Sequence, residues 1–192
     1  MKIRITLIGS SPVLLHNPRL VDPDFEITRE IKSLASKRKK TDDDLEQISR
    51  LEWLGGLYEE GGKIVQPTSK VRKCLVNTAK MSKLGKAVER TISFGSLNVP
   101  LIFPDSDLPI KDLMAKPQYH SRLSVGIGQK RVMRTRPSFF PWSLVVDGIF
   151  VEDAGLNFDD LQRIVELAGT VEGIGDNRVN GYGRFAGEVK KI

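Results

Sequence analysis

Arginine is the side chain that most plainly offers chemistry in this sequence. Residues 129–136 read Gln-Lys-Arg-Val-Met-Arg-Thr-Arg, so an extended chain there projects Arg134 and Arg136 to one side, with Lys130 and Arg131 just before them. Such side chains stand ~7 Å apart, which matches neighbouring phosphates, and a guanidinium adds a bidentate fork that lysine lacks. A second cationic element follows Pro67-Thr68-Ser69, a helix whose polar stripe carries Lys70, Lys73, Asn77 and Lys80, with Arg72 beside it. That stripe reads equally as a solvated face and as a phosphate-contacting one. Lys37-Arg38-Lys39-Lys40 is better read as a helix C-terminus, where cations suit the dipole, because Asp42, Asp43 and Asp44 follow at once.

The most unusual segment is Gly173-Ile174-Gly175-Asp176-Asn177-Arg178-Val179-Asn180-Gly181-Tyr182-Gly183-Arg184-Phe185. Glycine permits positive φ and close approach of another backbone, and successive free N–H groups can hold an anion. The Gly173, Gly175 pair is not a dinucleotide fingerprint, because it precedes a strand instead of opening a helix, and no Lys-Ser/Thr follows as in a P-loop. On glycine spacing alone, a structural turn and a binding loop fit equally. Asp22-Pro23-Asp24 and Asp42-Asp43-Asp44 read as a turn and a helix start, and Cys74 with two histidines makes no spaced zinc motif. No metal and no cofactor is expected. Ser10-Ser11 lacks a nucleophile elbow.

Several elements must position these groups. Ile3, Ile5 and Leu7 alternate with Lys2, Arg4 and Thr6, the pattern of a half-buried strand ended by Gly9-Ser10-Ser11-Pro12. Residues 28–54 are strong helix formers and predict two helices broken near Lys40, the second opened by Thr41 and its acids. Gly55-Gly56 and Gly61-Gly62 punctuate a hairpin with a strand over 63–66, and the cationic helix follows with Val71, Leu75 and Ala79 as its apolar stripe. A further turn of helix is expected over 86–90, a strand over 99–103 and a short helix over 109–115. Two β stretches, 121–127 and 131–136, lead to residues 144–151, the best candidate for a central strand. Asn157 can cap a helix burying Phe158, Leu161, Ile164, Val165 and Ala168, and a last strand spans 182–190. Removing the insertions leaves βα and ββαβ units, the order of a ferredoxin-like (RRM-like) α+β domain with helices on one face of an antiparallel sheet.

Composition fits one domain over residues 1–192, with a helical insertion at about 26–56. The 192 residues are 40% hydrophobic and 28% charged, as in ordinary globular proteins, and are enough to fold without disulfides. The single cysteine excludes an intramolecular disulfide framework and fits a reducing cytoplasm. No apolar run approaches the ~18 residues of a membrane span, and the start lacks a signal peptide's apolar stretch, so no membrane partner is expected. Thirty Lys and Arg against 24 Asp and Glu give a net charge of +6, a size that solubility alone accounts for. Its distribution is more telling. Cations crowd residues 63–90 and 111–136 with one acid in each, while acids collect over 42–60, the segregation a polyanion-binding face requires.

The glycine segment, of the form Gly-x-Gly-x-x-Arg-x-x-Gly-Tyr-Gly-x-Phe before the last strand, resembles the signature of the RAMP superfamily, the ferredoxin-like RNA-binding proteins of CRISPR effector complexes. The first strand with Gly9-Ser10-Ser11-Pro12-Val13-Leu14-Leu15 resembles the family's opening. Residues Pro67-Thr68-Ser69-Lys70-Val71-Arg72-Lys73-Cys74-Leu75 resemble its Pro-x-Ser-x-Arg-x-x-Leu helix start. The insertion at 28–54 has no counterpart there. His-Asn-Pro-Arg-Leu at 16–20 and the Arg-x-x-Arg-x-Arg-Pro segment also resemble a group of phage proteins, which implies a solitary phage-encoded relative acting in a bacterial host's cytoplasm. The resemblance implies that Gly173, Gly175, Arg178 and Gly181 contact a nucleic-acid backbone, with Asn180 and Arg184 in the same loop, and that Lys70, Arg72 and Lys73 line the adjacent groove. Tyr182 would stack on a base or fill the core.

Single-stranded RNA or DNA is the natural ligand of such a surface, bound without cleavage, with the protein assembling as an oligomer or filament along the strand. Two alternatives belong to other classes. One is a phage decoy that mimics a CRISPR backbone subunit. The other is a metal-independent endoribonuclease using His16 or His120, although sequence places no second acid–base partner for either.

Overall fold

The computed structural model describes all residues except Gln129, Asp153 and Ala154, and the side chains of Ile127 and Lys130 also lie outside it. The chain runs β1 (Lys2–Gly9), β2 (Val13–Leu14), α1 (Glu26–Ser36), α2 (Asp42–Gly56), β3 (Glu59–Glu60), β4 (Lys63–Pro67), α3 (Thr68–Lys80), α4 (Gly85–Thr91), β5 (Ile92–Phe94) and β6 (Asn98–Pro100). It continues through α5 (Ile110–Met114), β7 (His120–Ile127), β8 (Lys130–Phe139), β9 (Ser143–Phe150), α6 (Phe158–Val171) and β10 (Phe185–Lys191). The protein is α+β with antiparallel sheets. Among the described residues no helix is long and apolar enough to cross a membrane.

Local chemistry explains most boundaries. In β1 the side chains of Ile3, Ile5 and Leu7 are fully buried while Lys2, Arg4 and Ile8 are exposed, the two-residue period of a sheet with one covered face. Thr41 and Asp44 form a reciprocal capping box that starts α2, and the Asn157 side chain accepts from the Asp160 N–H at 2.8 Å to start α6. The expected break near Lys40 and the expected apolar stripes of α3 and α6 are all present.

The main sheet has the order β10-β1-β9-β5, each pair antiparallel. Helices α3 and α6 pack against each other, and α6 lies along β10, so Cys74, Leu75, Leu161 and Val165 join Ile5, Leu7 and Val146 in one core. The uncovered face carries Arg4, Thr6, Val145, Asp147, Glu188 and Lys190, and the Arg4 guanidinium is taken by Asp147 in a bidentate pair with both contacts at 2.7 Å. Among the described residues of β1, β9 and β10, that face is mixed in charge and presents no aromatic ring for stacking a base.

A single sheet is the expectation from sequence, and the described residues form three. The antiparallel pair β1–β9 does not stop at its end but bends, and continues as β2–β8 in a second sheet of order β2-β8-β7. Trp142 makes the bend: the Gly9 N–H donates to its carbonyl at 2.8 Å, its indole N–H donates to the Ser11 carbonyl at 2.8 Å, and a Cβ on Gly9 would lie 2.3 Å from the ring. A third sheet, β3-β4-β6, takes the strand expected over 99–103, which is shorter because Ile102 instead bridges to Ser143. Strand β5 has no counterpart among the expected elements, and the last strand starts at Phe185 because Gly183, at φ 68°, turns its N–H to the Pro12 carbonyl at 2.8 Å. The insertion docks as α1 on α2 and α2 on β8.

Gly169 tests this packing, since a Cβ there would lie 1.7 Å from the Phe185 carbonyl oxygen. Gly169→Ala gains about 1 kcal/mol of helix propensity but forces α6 off β10, and a net loss of about 2 kcal/mol is expected as a lower urea midpoint. A midpoint at or above that of the wild type would show that helix and strand are not in such close contact.

Candidate nucleic-acid interface

The bent strand pair brings separate parts of the chain to one place. Just beyond β2 the chain emerges at His16, next to Arg134 and Arg136 of β8, and the loop before β10 folds back over β2. Asp176 donates its N–H to the Leu14 carbonyl at 2.8 Å and pairs its carboxylate with Arg136. Arg178 pairs with Glu172 at the end of α6, and Arg184 donates to the carbonyls of Thr170 at 2.9 Å and Arg178 at 3.1 Å. Ser11 ties the loop down from outside, its hydroxyl donating to the Gly181 carbonyl at 2.8 Å and accepting from the Arg184 N–H at 2.9 Å.

Two cavities meet at His16. One, of about 440 Å³, lies between the insertion and the β7–β8 hairpin and is lined by Leu20, Ile31, Glu52, Val125, Arg134 and Arg136. The other, of about 280 Å³, lies under the glycine loop and is lined by Leu14, Leu15, Pro18, Tyr58, Gln66, Lys70, Asp176 and Arg178. His16 is exposed at the mouth of the cleft, and partial desolvation of its imidazole, with Arg136, Arg134 and Lys70 acting in the same direction against Asp176, holds it below its usual 6.5. It is therefore neutral at pH 7, able to donate and to accept. Tyr58 donates its hydroxyl to the His16 carbonyl at 3.0 Å, and burial, then Asp176, raises its phenol.

The candidates from sequence distribute unevenly. Lys70, Arg134, Arg136, Gly175 and Arg178 converge on His16. The arginines there are not free: Arg134 pairs with the buried Glu52, which also accepts from the Thr135 N–H at 2.8 Å, and Arg136 is only 15% exposed against Asp176. The acids that lie apart in sequence are returned to the arginines by the fold. Arg131 lies further out, donating to the Ser124 hydroxyl at 3.1 Å, and the side chain of Lys130 falls outside the described residues. Arg72 and Lys73 line a different, open cleft of about 470 Å³ on the far side of α3, where Arg72 donates to the Glu89 carbonyl.

The loop glycines mostly serve the loop itself. Gly173 is buried, and a Cβ on it would lie 2.9 Å from the Gly183 carbonyl oxygen, so its role is to close the turn and not to meet a ligand. Gly181, at φ 85°, faces open space, as do Asn180, whose amide donates to the Asn177 side chain at 2.6 Å, and Val179, which is 93% exposed. Tyr182 is half-buried. His120 stacks on Trp53 with centroids 5.3 Å apart and places Nε2 2.8 Å from the Met114 carbonyl, a packing role. Cys74 is buried between α3 and α6, where burial and then Glu172 push its thiol up to about 12. Among the described residues no three His, Cys, Asp or Glu cluster to hold a metal ion.

Sequence reasoning misses Tyr58, Gln66 and the pairing acids Glu52, Glu172 and Asp176. Only Gln66 has a local signal, a polar residue inside the apolar run Ile64-Val65-Gln66-Pro67.

His16 gives a pH test of the cleft. Because its folded value lies below 6.5, the unfolded chain takes up the proton first as pH falls; this contribution to stability is complete above 6.5 and lost progressively beneath it. The stability difference between wild type and His16→Asn should stay constant above that pH and shift against the wild type below it, as measured by urea unfolding. A difference independent of pH would mean that the cleft does not disfavour the charged imidazole. No protein-family model and no curated protein matches the sequence, so the interface is defined by its geometry.

Proposed function

We propose that the protein binds single-stranded nucleic acid along the cleft through His16, without cutting it. The observation that carries this reading is the convergence of three cationic elements far apart in sequence, Lys70 of α3, Arg134 and Arg136 of β8, and Arg178 of the glycine loop, around one neutral histidine. The strand runs from the hairpin cavity past His16 to the glycine loop, its phosphates meeting Lys70 and the arginine edges that their carboxylate partners leave uncovered. The order β10-β1-β9-β5, with α3 between the first two strands in sequence and α6 between the last two, supports a ferredoxin-like reading of the main sheet. In that reading the ligand lies on the second sheet and the glycine loop, because the uncovered face of the main sheet has Arg4 paired and, among the described residues of β1, β9 and β10, no aromatic.

Cleavage by His16 is the weaker reading. A general base needs a partner that orients it, and among the described residues the His16 imidazole makes no hydrogen bond; Tyr58 engages only its carbonyl. Labelled RNA incubated with the protein in EDTA should stay intact.

The paired arginines alter which variants test binding. Removing Arg134 or Arg136 strands Glu52 or Asp176 and disturbs the fold, whereas Lys70 is exposed. Lys70→Ala should weaken binding to single-stranded RNA or DNA of any sequence and lower the slope of log affinity against log salt by about 0.7. Fluorescence anisotropy across a salt titration reads both effects, and an affinity and slope unmoved by Lys70→Ala would overturn the site.

A further inference from the structure

The cavity under the glycine loop holds a feature that phosphate binding does not explain. Gln66 of β4 lines it, is 1% exposed, and its amide oxygen has no hydrogen-bond partner among the described residues. Buried polar atoms are nearly always paired, and an aliphatic side chain of similar size would fill the position without that cost. We propose that this cavity is a subsite for one nucleobase of the bound strand and that Gln66 reads the base. The inference rests on the strand-binding reading and adds to it a base preference.

The lining suits a flat, polar-edged ring. The cavity's volume of about 280 Å³ sits at the lower end of small-molecule sites. Pro18 supplies apolar surface at the rim, backed by the fully buried Leu14 and Leu15, while Lys70 and Arg178 stand at the same cavity to hold the attached phosphate. The unpartnered atom of Gln66 is an acceptor, and the Asp176 carboxylate is taken by Arg136, so a ligand that completes Gln66 must bring a donor. Adenine and cytosine offer an exocyclic amino group on their exposed edge; uracil offers a carbonyl at the corresponding position. The neutral His16 beside the cavity can turn either a donor or an acceptor to the rest of the nucleotide.

Gln66→Leu keeps the shape and removes the unpartnered amide, so the variant should fold with stability equal to or above that of the wild type. Short labelled oligo(A), oligo(C) and oligo(U) RNAs are compared by anisotropy, with AMP and UMP as free-nucleotide probes by calorimetry. Wild type should prefer oligo(A) or oligo(C) over oligo(U) by about fivefold, the worth of one net hydrogen bond, and in Gln66→Leu the affinities for the three should converge. Equal affinity for the three oligonucleotides, or a preference that survives Gln66→Leu, overturns the base subsite and leaves strand binding standing. A destabilised Gln66→Leu overturns it too, because the amide would then have a structural partner. Binding of AMP over UMP that depends on Gln66, with no oligonucleotide bound, keeps the subsite as one for free nucleotides and overturns the strand. Failure of every probe to bind overturns both.

Discussion

Gly175 has no side chain at the point where a Cβ would lie 2.5 Å from the Leu14 carbonyl oxygen, and the cleft depends on that missing atom. With nothing there, the loop settles onto β2, the Asp176 N–H reaches the same carbonyl at 2.8 Å, and the Asp176 carboxylate falls against Arg136. Neighbouring contacts extend the constraint in both directions. The Gly173 N–H caps α6 at the Ala168 carbonyl at 2.8 Å, and the Ile174 N–H closes the loop on the Gly183 carbonyl at 3.0 Å. Gly183 permits that closure, since a Cβ on it would lie 1.7 Å from the Ile174 carbonyl oxygen. The glycine segment is thus a backbone clamp that joins α6, β2 and β8 and fixes the side chains of Asp176 and Arg178.

The electrostatics follow from the same clamp. In sequence the cations of 111–136 look nearly unopposed, but Glu52 arrives from the insertion and Asp176 from the loop to meet Arg134 and Arg136. Partly buried pairs of this kind contribute little net stability, because desolvation offsets their attraction. What they give the cleft is position: each guanidinium is held in one geometry against its carboxylate. The cost is field strength. A polyanion approaching the cleft sees fewer net charges than the arginine count, so simple attraction is a poor route to tight binding here.

Local rules make much of this fold legible in the amino-acid sequence. The two-residue period of β1, the Thr41 and Asn157 caps and the apolar stripe of α3 depend on near neighbours only, and each lies where its residues predict it. The division into three sheets is not legible, because it turns on Gly9 meeting Trp142, residues more than a hundred positions apart. Strand β5, at Ile92–Phe94, is too short for any period to mark it and exists because β9 offers an edge. In the site, Lys70 and Arg178 are readable as cations by type. The partners Glu52 and Glu172 are not, since each carries an ordinary helical residue's signature until tertiary structure turns it toward an arginine.

The state in which each group is left distinguishes kinds of ligand. The arginines already have carboxylate partners, so a bare polyanion gains less from them than their number suggests. Gln66 is unsatisfied and His16 uncharged, so a ligand that brings a hydrogen-bond donor into the cavity completes a group that the protein alone leaves incomplete. The larger gain therefore goes to a molecule that carries phosphate and base together. A cleft of mixed charge with an unpaired amide in its lining is poorly built for generic anion binding, and it is these features that the proposed reading assigns to a strand whose bases turn inward.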